Sequence, residues 1–403
     1  MKVFLCSIFV FVYLIGAVQA ATVTTFSSPE NSYSVISNYL SGLTKSAYLS
    51  VYTFTNLGFA GQLVEASKRG VDIKVIVEDS PVGEEVERGV LCFLQNNGVE
   101  VYLYKGRLKF LHAKYIVGDN RSVVVSSENF VDDGFYKNRG WGAVIEDEYT
   151  AGELLQAYIT DLKDSGKIKC DGETRKIEAK PTEKIKLYKY EDQEVDLIVA
   201  PDAVEKILDL LESANKSIYI EQFYIYRKWG SSPNIFLEKV IEGARNGVDV
   251  KILLDSNYYN TEKSDHNSNY YTVEYIKNIS TVEKIPIEAK LVDLKSLGFS
   301  KIHTKGVIID NKSVLVSSIN WNENSPRNNR EVGITITGDS VAYFLDKFLH
   351  DWGQGSYSEL SSSKLVGKDY GQTIANIFLF IIVVSIVMIL IKRRFYRRSK
   401  VSI

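Results

Sequence analysis

One pattern of side chains stands twice, in register, in this 403-residue chain. The first copy is His112-Ala113-Lys114, Asp119, Ser126, Ser127, Asn129 and Asn138-Arg139. The second is His303-Thr304-Lys305, Asp310, Ser317, Ser318, Asn320 and Asn329-Arg330, with every gap the same as in the first. The chain holds four histidines, and two of them head these copies. An imidazole acts as nucleophile or proton donor near neutral pH. A lysine two residues along a strand shares the histidine's face, because side chains alternate. Asn and Ser add neutral donors of the kind that hold an anionic oxygen. Two such sets facing each other would make a phosphate-shaped site. One histidine would attack phosphorus while the other protonates the leaving oxygen, with no metal or cofactor required. The alternative is a duplicated domain whose polar residues merely cap strands; a lone His-x-Lys would be read that way. Two copies matched at every gap favour chemistry.

At these residues the chain resembles the phospholipase D superfamily, whose signature is His-x-Lys-x4-Asp followed by Gly/Ser-Ser-x-Asn. Both copies fit, as HAKYIVGD with SSEN and HTKGVIID with SSIN. The resemblance covers roughly residues 25 to 350. It implies a phosphohistidine mechanism, with His112 as nucleophile and His303 as general acid. Lys114, Lys305, Asn129 and Asn320 would bind the non-bridging oxygens, whose charge must be stabilised throughout phosphoryl transfer. Ser127 and Ser318 are weaker candidates for the same task. Asp119 and Asp310, at the far ends of their strands, read as structural turn residues.

The copies differ after their last arginine. The second reads Asn329-Arg330-Glu331, where the first reads Asn138-Arg139-Gly140. In related enzymes an acidic residue near this point orients a catalytic imidazole, and Glu331 is placed to do so. Gly140 cannot, which predicts that the two histidines are tuned differently.

The elements that must carry these residues also repeat. YLSVYTF, a helical GFAGQLVEASKRG and VDIKVIVED precede the first motif; IYIEQFYIY, FLEKVIEGARNG and VDVKILLD precede the second. Strands alternating with helices predict an α/β fold: two tandem phospholipase D-like α/β/α sandwich units packed with pseudo-two-fold symmetry. The expected boundaries are a first domain over 21–165, a charged linker over 166–194 and a second domain over 195–352. Because both motifs lie in one chain, no obligate oligomer is needed. The second copy carries extra residues between its Gly-Val-Asp and its histidine, rich in tyrosine: Tyr258, Tyr259, Tyr270 and Tyr271. Such a loop is a candidate substrate wall, since Tyr stacks on bases or packs on lipid.

Composition is that of a globular protein, with 45% apolar and 24% charged residues. The net charge of −2 is uneven, because Lys2 and a basic run from Lys392 to Lys400 leave the body between them more acidic. An acidic body lacks the basic footprint of a dedicated duplex-binding surface. Residues 1–20 read as a signal peptide, with an uncleaved anchor as the alternative. A Gly/Ser-rich stalk over 353–373 leads to an apolar run at 374–391, a candidate transmembrane helix, and a basic cytoplasmic tail over 392–403. Together these predict a single-pass cell-membrane protein with its catalytic body outside the cytoplasm. Cys92 and Cys170 would then remain as one disulfide or as two free thiols. The expected activity is a phosphoric diester hydrolase acting on phospholipids. A nuclease is the close alternative; a phosphatidyltransferase and a non-catalytic surface binding protein stand further off.

Overall fold

Each half of the chain lays its strands down in the same order. In the computed structural model, residues 20–82, 86–170 and 186–353 are described. The first copy comprises β1 (Ala21–Ser28), α1 (Ser32–Gly42), β2 (Ser46–Val51), α2 (Leu57–Lys68), β3 (Asp72–Glu78), α3 (Arg88–Asn96) and β4 (Glu100–Tyr104). It continues through β5 (Lys114–Gly118), β6 (Ser122–Ser126), α4 (Asp132–Tyr136), β7 (Gly140–Glu146) and α5 (Glu148–Lys163), and ends on the short β8 (Ser165–Lys167). The second comprises β9 (Tyr188–Val199), α6 (Val204–Glu212), β10 (Ser217–Gln222), the two-residue strands β11 (Lys228–Trp229) and β12 (Ser232–Pro233), α7 (Ile235–Arg245) and β13 (Asp249–Leu254). Then follow α8 (Tyr258–Thr261), α9 (Asn269–Glu283), β14 (Ile287–Leu291), α10 (Leu294–Leu297), β15 (Lys305–Ile309), β16 (Ser313–Ser317), α11 (Asn324–Asn328), β17 (Val332–Thr337) and α12 (Val341–Trp352).

One mixed sheet runs through both copies in the order β14-β13-β10-β15-β16-β17-β9-β1-β7-β6-β5-β2-β3-β4-β8. Apart from β8 the order is palindromic about the β9–β1 pair. In each copy three strands are parallel, β2-β3-β4 and β10-β13-β14, joined through helices as parallel strands require. β9 lies partly in the stretch expected to be a linker. Its first residues pair with β1, from Tyr188 opposite Thr25 to Gln193 opposite Ala21. Its later residues pair with β17, from Glu194 opposite Thr337 to Val199 opposite Val332. A single strand therefore belongs to both copies.

The central strands are apolar on both faces, as buried sheets demand. Phe59, Leu63 and Leu94 from α2 and α3 close one outer core; Ile207, Phe236 and Ile276 from α6, α7 and α9 close the other. A third core is shared by the copies. There Leu154 and Tyr158 of α5 and Phe344 and Phe348 of α12 pack with Trp141, Val125, Val316 and Ile334. Matching local signals start matching helices. Asn56 caps α2 by accepting from the Phe59 N–H at 2.8 Å, and Asn234 caps α7 by accepting from the Phe236 N–H at 3.0 Å. Cys92 on α3 and Cys170 beyond β8 form a disulfide.

The localisation expected from the sequence is corrected. Among the described residues no helix is long and apolar enough to cross a membrane. The longest, α5, has 16 residues and buries one face only, whereas a span needs about 20 apolar residues. A single-pass membrane protein with an outward-facing body rested wholly on apolar runs near the two ends, and the folded body supplies no spanning helix. Residues 1–19 and 354–403, with the expected signal peptide, most of the stalk, the apolar run at 374–391 and the basic tail, lie outside the described residues.

Candidate active site

Each histidine is pinned by the opposite copy. The His112 N–H donates to the Arg330 carbonyl at 2.9 Å and the His303 N–H to the Arg139 carbonyl at 2.8 Å. The Arg330 N–H returns a bond to the Phe110 carbonyl at 2.8 Å, and the Arg139 N–H to the Lys301 carbonyl at 2.9 Å. The segment entering each histidine is thus bridged to the arginine that ends the other motif. A carboxylate at the end of a parallel strand holds the residue before each histidine. Glu78 accepts from the Leu111 N–H at 2.6 Å, and Asp255 accepts from the Ile302 N–H at 2.8 Å.

His112 lies against Glu331, its Nδ1 2.9 Å from both carboxylate oxygens. Glu331 is fully buried and also accepts from Ser318 Oγ at 2.5 Å, Ser325 Oγ at 2.6 Å and Asn329 Nδ2 at 3.1 Å. Burial pushes its carboxyl up, but the His112 interaction, Lys114 and the Ser318 hydroxyl outweigh burial and hold it below the usual range. Burial pulls the His112 imidazole down to about 4 against the attraction of Glu331. At neutral pH the pair is a neutral imidazole donating Nδ1–H to a carboxylate, which leaves the Nε2 lone pair free. The Tyr52 ring meets His112 edge-on with centroids 4.7 Å apart, and Lys114 Nζ, bonded to the His112 carbonyl, stands 5.3 Å from the Tyr52 centroid.

The surroundings of His303 repeat this plan with two exchanges. Phe223 takes the place of Tyr52, with its centroid 4.9 Å from the imidazole and 5.3 Å from Lys305 Nζ. Lys305 donates to the His303 carbonyl at 2.6 Å. The carboxylate comes from a residue that sequence reasoning missed: Glu128 Oε2 lies 3.3 Å from His303 Nδ1. Burial pushes the Glu128 carboxyl up to about 7 against the pull of Lys305. Burial, then Lys305, Lys301 and Lys114, hold the His303 imidazole well below its ordinary value. Burial and the nearby Lys114 ammonium do the same to Lys305. Two lysines forced together in a dry site are relieved by an anion. The signal for Glu128 was present in the chain, as an acid in SSEN where the other copy has SSIN.

Other candidates fall into two groups. Asn129 and Asn320 end the same hairpins as the paired serines, and their Oδ1 atoms are buried without a partner among the described residues. Ser127 Oγ accepts from the Trp141 N–H and Ser318 Oγ from the Val332 N–H, each at 3.0 Å, so both hydroxyls also serve the hairpin. Asp119 and Asp310 stand at the remote turns. With the asparagines that follow they adopt positive φ, and they accept from the backbone N–H groups of residues 44–46 and 215–217. The tyrosine wall divides. Tyr259 packs edge-on to Phe223 at 6.2 Å and Tyr258 is largely exposed beside it. Tyr270 instead covers Lys263 at 4.7 Å, and Tyr271 bonds the Lys263 carbonyl at 3.0 Å, so these two fasten the loop to its helix.

The family described as cardiolipin synthase, PLD-like domain, matches residues 36–164 and 207–352, one match over each copy. The chain belongs to this PLD-like family. Among its PLD-like relatives, cardiolipin synthase 2 of Staphylococcus epidermidis is 32% identical over 133 residues, 32% of this chain and 27% of that protein. A phospholipase D of Rickettsia bellii is 26% identical over 149 residues, 37% of this chain and 73% of that protein. The match to the synthase therefore spans about a quarter of its length. The structure of phosphatidylserine synthase from Haemophilus influenzae shares the PLD-like fold over 91% of this chain and 94% of its own, with a TM-score of 0.56 and 15% identity.

Proposed function

We propose that this PLD-like chain cleaves phospholipid phosphodiesters in two steps through a phosphohistidine on His112. Nε2 of His112 attacks phosphorus while its Nδ1–H stays on Glu331, whose charge offsets the cation formed on the ring. His303 supplies the proton for the departing alcohol and later takes one from the water that releases the phosphatidyl group. Lys114 and Lys305 face the non-bridging oxygens, with Asn129 and Asn320 beside them. The observation that carries this reading is the pair of imidazoles, each with Nδ1 against a buried carboxyl and each followed by a buried lysine.

A phospholipid substrate is supported by the relatives named phospholipase D and cardiolipin synthase. The synthase likeness also favours a second reading, in which an alcohol replaces water and the phosphatidyl group is transferred. The same intermediate serves both. The test offers phospholipid vesicles and single-stranded DNA to the full chain in EDTA, with and without glycerol, using His112→Ala as control. Head-group alcohol released from vesicles is expected. New phosphatidylglycerol in glycerol would establish transfer, and cleavage of DNA alone would sink the lipid reading.

A further inference from the structure

The two copies place a carboxyl group at the same point from different positions in the chain. Glu331 corresponds to Gly140, and Glu128 corresponds to Ile319. A Cβ on Gly140 would meet Glu128 Cγ at 2.4 Å and Oε1 at 2.6 Å, so the Glu128 side chain fills the space that a residue-140 side chain would enter. The motif asparagines register the coincidence. Asn329 Nδ2 donates to Glu331 Oε1 at 3.1 Å, and Asn138 Nδ2 donates to Glu128 Oε2 at 3.2 Å. The carboxyl has moved across the β6–β7 hairpin while keeping its amide partner and its imidazole.

The donors around the two groups differ. Glu331 accepts from His112, Ser318, Ser325 and Asn329. Ser325 corresponds to Gly134, where a Cβ would stand 2.5 Å from the Asn129 carbonyl oxygen and 3.1 Å from Glu128 Oε2, leaving no room for a hydroxyl. Glu128 Oε1 and His303 Nδ1 are both buried without a hydrogen-bond partner among the described residues. A buried carboxyl short of donors is stabilised by retaining its proton. It then becomes a donor itself, and an acceptor lies 3.3 Å away at His303 Nδ1.

We propose that Glu128 is the positioning residue of His303 and works in its protonated form, donating to Nδ1, so that the two histidines present opposite ring tautomers. His112 holds its proton on Nδ1 and offers a lone pair at Nε2. His303 holds its proton on Nε2 and offers it to the leaving oxygen. As that proton leaves, the Glu128 O–H proton crosses to Nδ1, so the imidazole stays neutral and the negative charge falls on Glu128, facing Lys305, Lys301 and Lys114. In the second step the nucleophile's proton returns to Nε2 and the Nδ1 proton to Glu128, restoring the start. Tyr259 also faces Glu128. The direction of the Glu128 shift noted above agrees with this assignment. The catalytic role rests on the phosphohistidine reading; the tautomers do not.

The test is nitrogen NMR on the full chain labelled with 15N-histidine, where ring tautomers are distinguished by their couplings. Nδ1–H is expected for His112 and Nε2–H for His303; Nδ1–H at both would overturn the proposal. Glu128→Gln, whose amide still donates, is expected to keep Nε2–H at His303, and Glu128→Ile to release it. Glu128→Ile is further expected to lower kcat on phosphatidylcholine vesicles, whose departing alcohol needs its proton, by about 10²-fold or more with KM unchanged. Adding Gly140→Glu in that background, which copies the second motif's arrangement, is expected to recover at least a tenfold part of the loss. A His303 spectrum indifferent to Glu128→Ile would refute the placement. A wild-type chain with opposite tautomers but no phosphodiester turnover would refute the function and leave the placement standing.

Discussion

Arg139 and Asp351 form a buried two-pronged ion pair between the copies, with Nε to Oδ2 at 2.5 Å and Nη2 to Oδ1 at 3.0 Å. The mirror pair is Arg330 with Asp161, at 2.8 Å on both prongs. Each arginine follows its motif asparagine and reaches a helix of the opposite copy, α12 or α5. Glu30 also bonds Arg139, at 2.7 Å. Arg139→Met removes the cation and leaves the buried Asp351 without its guanidinium, while Glu30 keeps Lys347 and Ser27. The expected loss is about 3–5 kcal/mol of stability, read as a lower urea midpoint with unchanged slope. A change within the noise would mean that water replaces the pair.

Glu331→Gln keeps shape and volume but places an amide donor against His112 Nδ1. The imidazole must then carry its proton on Nε2, where the lone pair is needed. A fall of about 10⁴-fold in the first chemical step is expected, by the logic that governs carboxylates behind catalytic histidines. Phosphohistidine trapped by a denaturing quench at alkaline pH should vanish with it. Ordinary trapping in the variant would show that another residue forms the intermediate.

The active-site histidines should subtract stability on acidification through a defined window, in which Glu128 acts against them by binding its proton first in the folded state. His112 ionises at 6.5 in the unfolded chain and at about 4 in the folded one, and burial shifts His303 in the same direction. Between those values the unfolded state binds the proton and the folded state does not, so the His112 contribution to stability falls as pH drops, by up to about 1.4 kcal/mol per pH unit. Denaturant titrations at pH 6.5 and 4.5 measure the slope. Between these pH values His112→Asn should lose less stability than the wild type; an identical change in both would place the titration elsewhere.

Cys92 and Cys170 close a loop of 78 residues of sequence separation and tie α3 to the chain beyond β8. Reduction should lower stability by roughly 2–5 kcal/mol. Thermal melts with and without reductant decide it, and equal midpoints would show that packing of α3 alone holds this edge.

Lys114→Met and Lys305→Met should each lower kcat by about 10²–10³-fold on bis(4-nitrophenyl) phosphate, because charge on the phosphoryl oxygens is stabilised in the transition state. The folded state should survive the Lys305 change in particular, since it removes a buried cation that Lys114 already repels. Loss of fold in Lys305→Met would make this lysine a structural member.

Much of the plan was legible because the chain states it twice. Gaps matched from His to the final Arg, and Gly-Val-Asp before equivalent strands, carry the internal symmetry and the pairing of motifs. Glu331 stood out by comparing copies position by position. The same comparison concealed Glu128, because it scored Gly140 as a loss when the carboxyl had crossed the hairpin to a neighbouring strand end. Tyr52 and Phe223 sit just past strands whose other residues are core, so nothing local separates an aromatic facing an imidazole from one facing leucine. The second half of β9 is legible as a strand, whereas its first half falls in the charged stretch expected to be a linker; Tyr188–Val199 alternates partly buried and exposed positions, and the long-range pairing of the first half with β1 makes it one strand. Tyr270 and Tyr271 share composition with Tyr258 and Tyr259 but face a different neighbour, which composition does not encode.

The antiparallel meeting of β1 with β9 has a consequence beyond holding two histidines at one site. A single copy would present that flank as a row of unpaired N–H and C=O groups, an open template for any other strand. Joined in one polypeptide, the copies cover that margin for each other and leave β14 and the short β8 as the ends of the sheet. What brings the chemistry together also guards the protein against sticking to its neighbours.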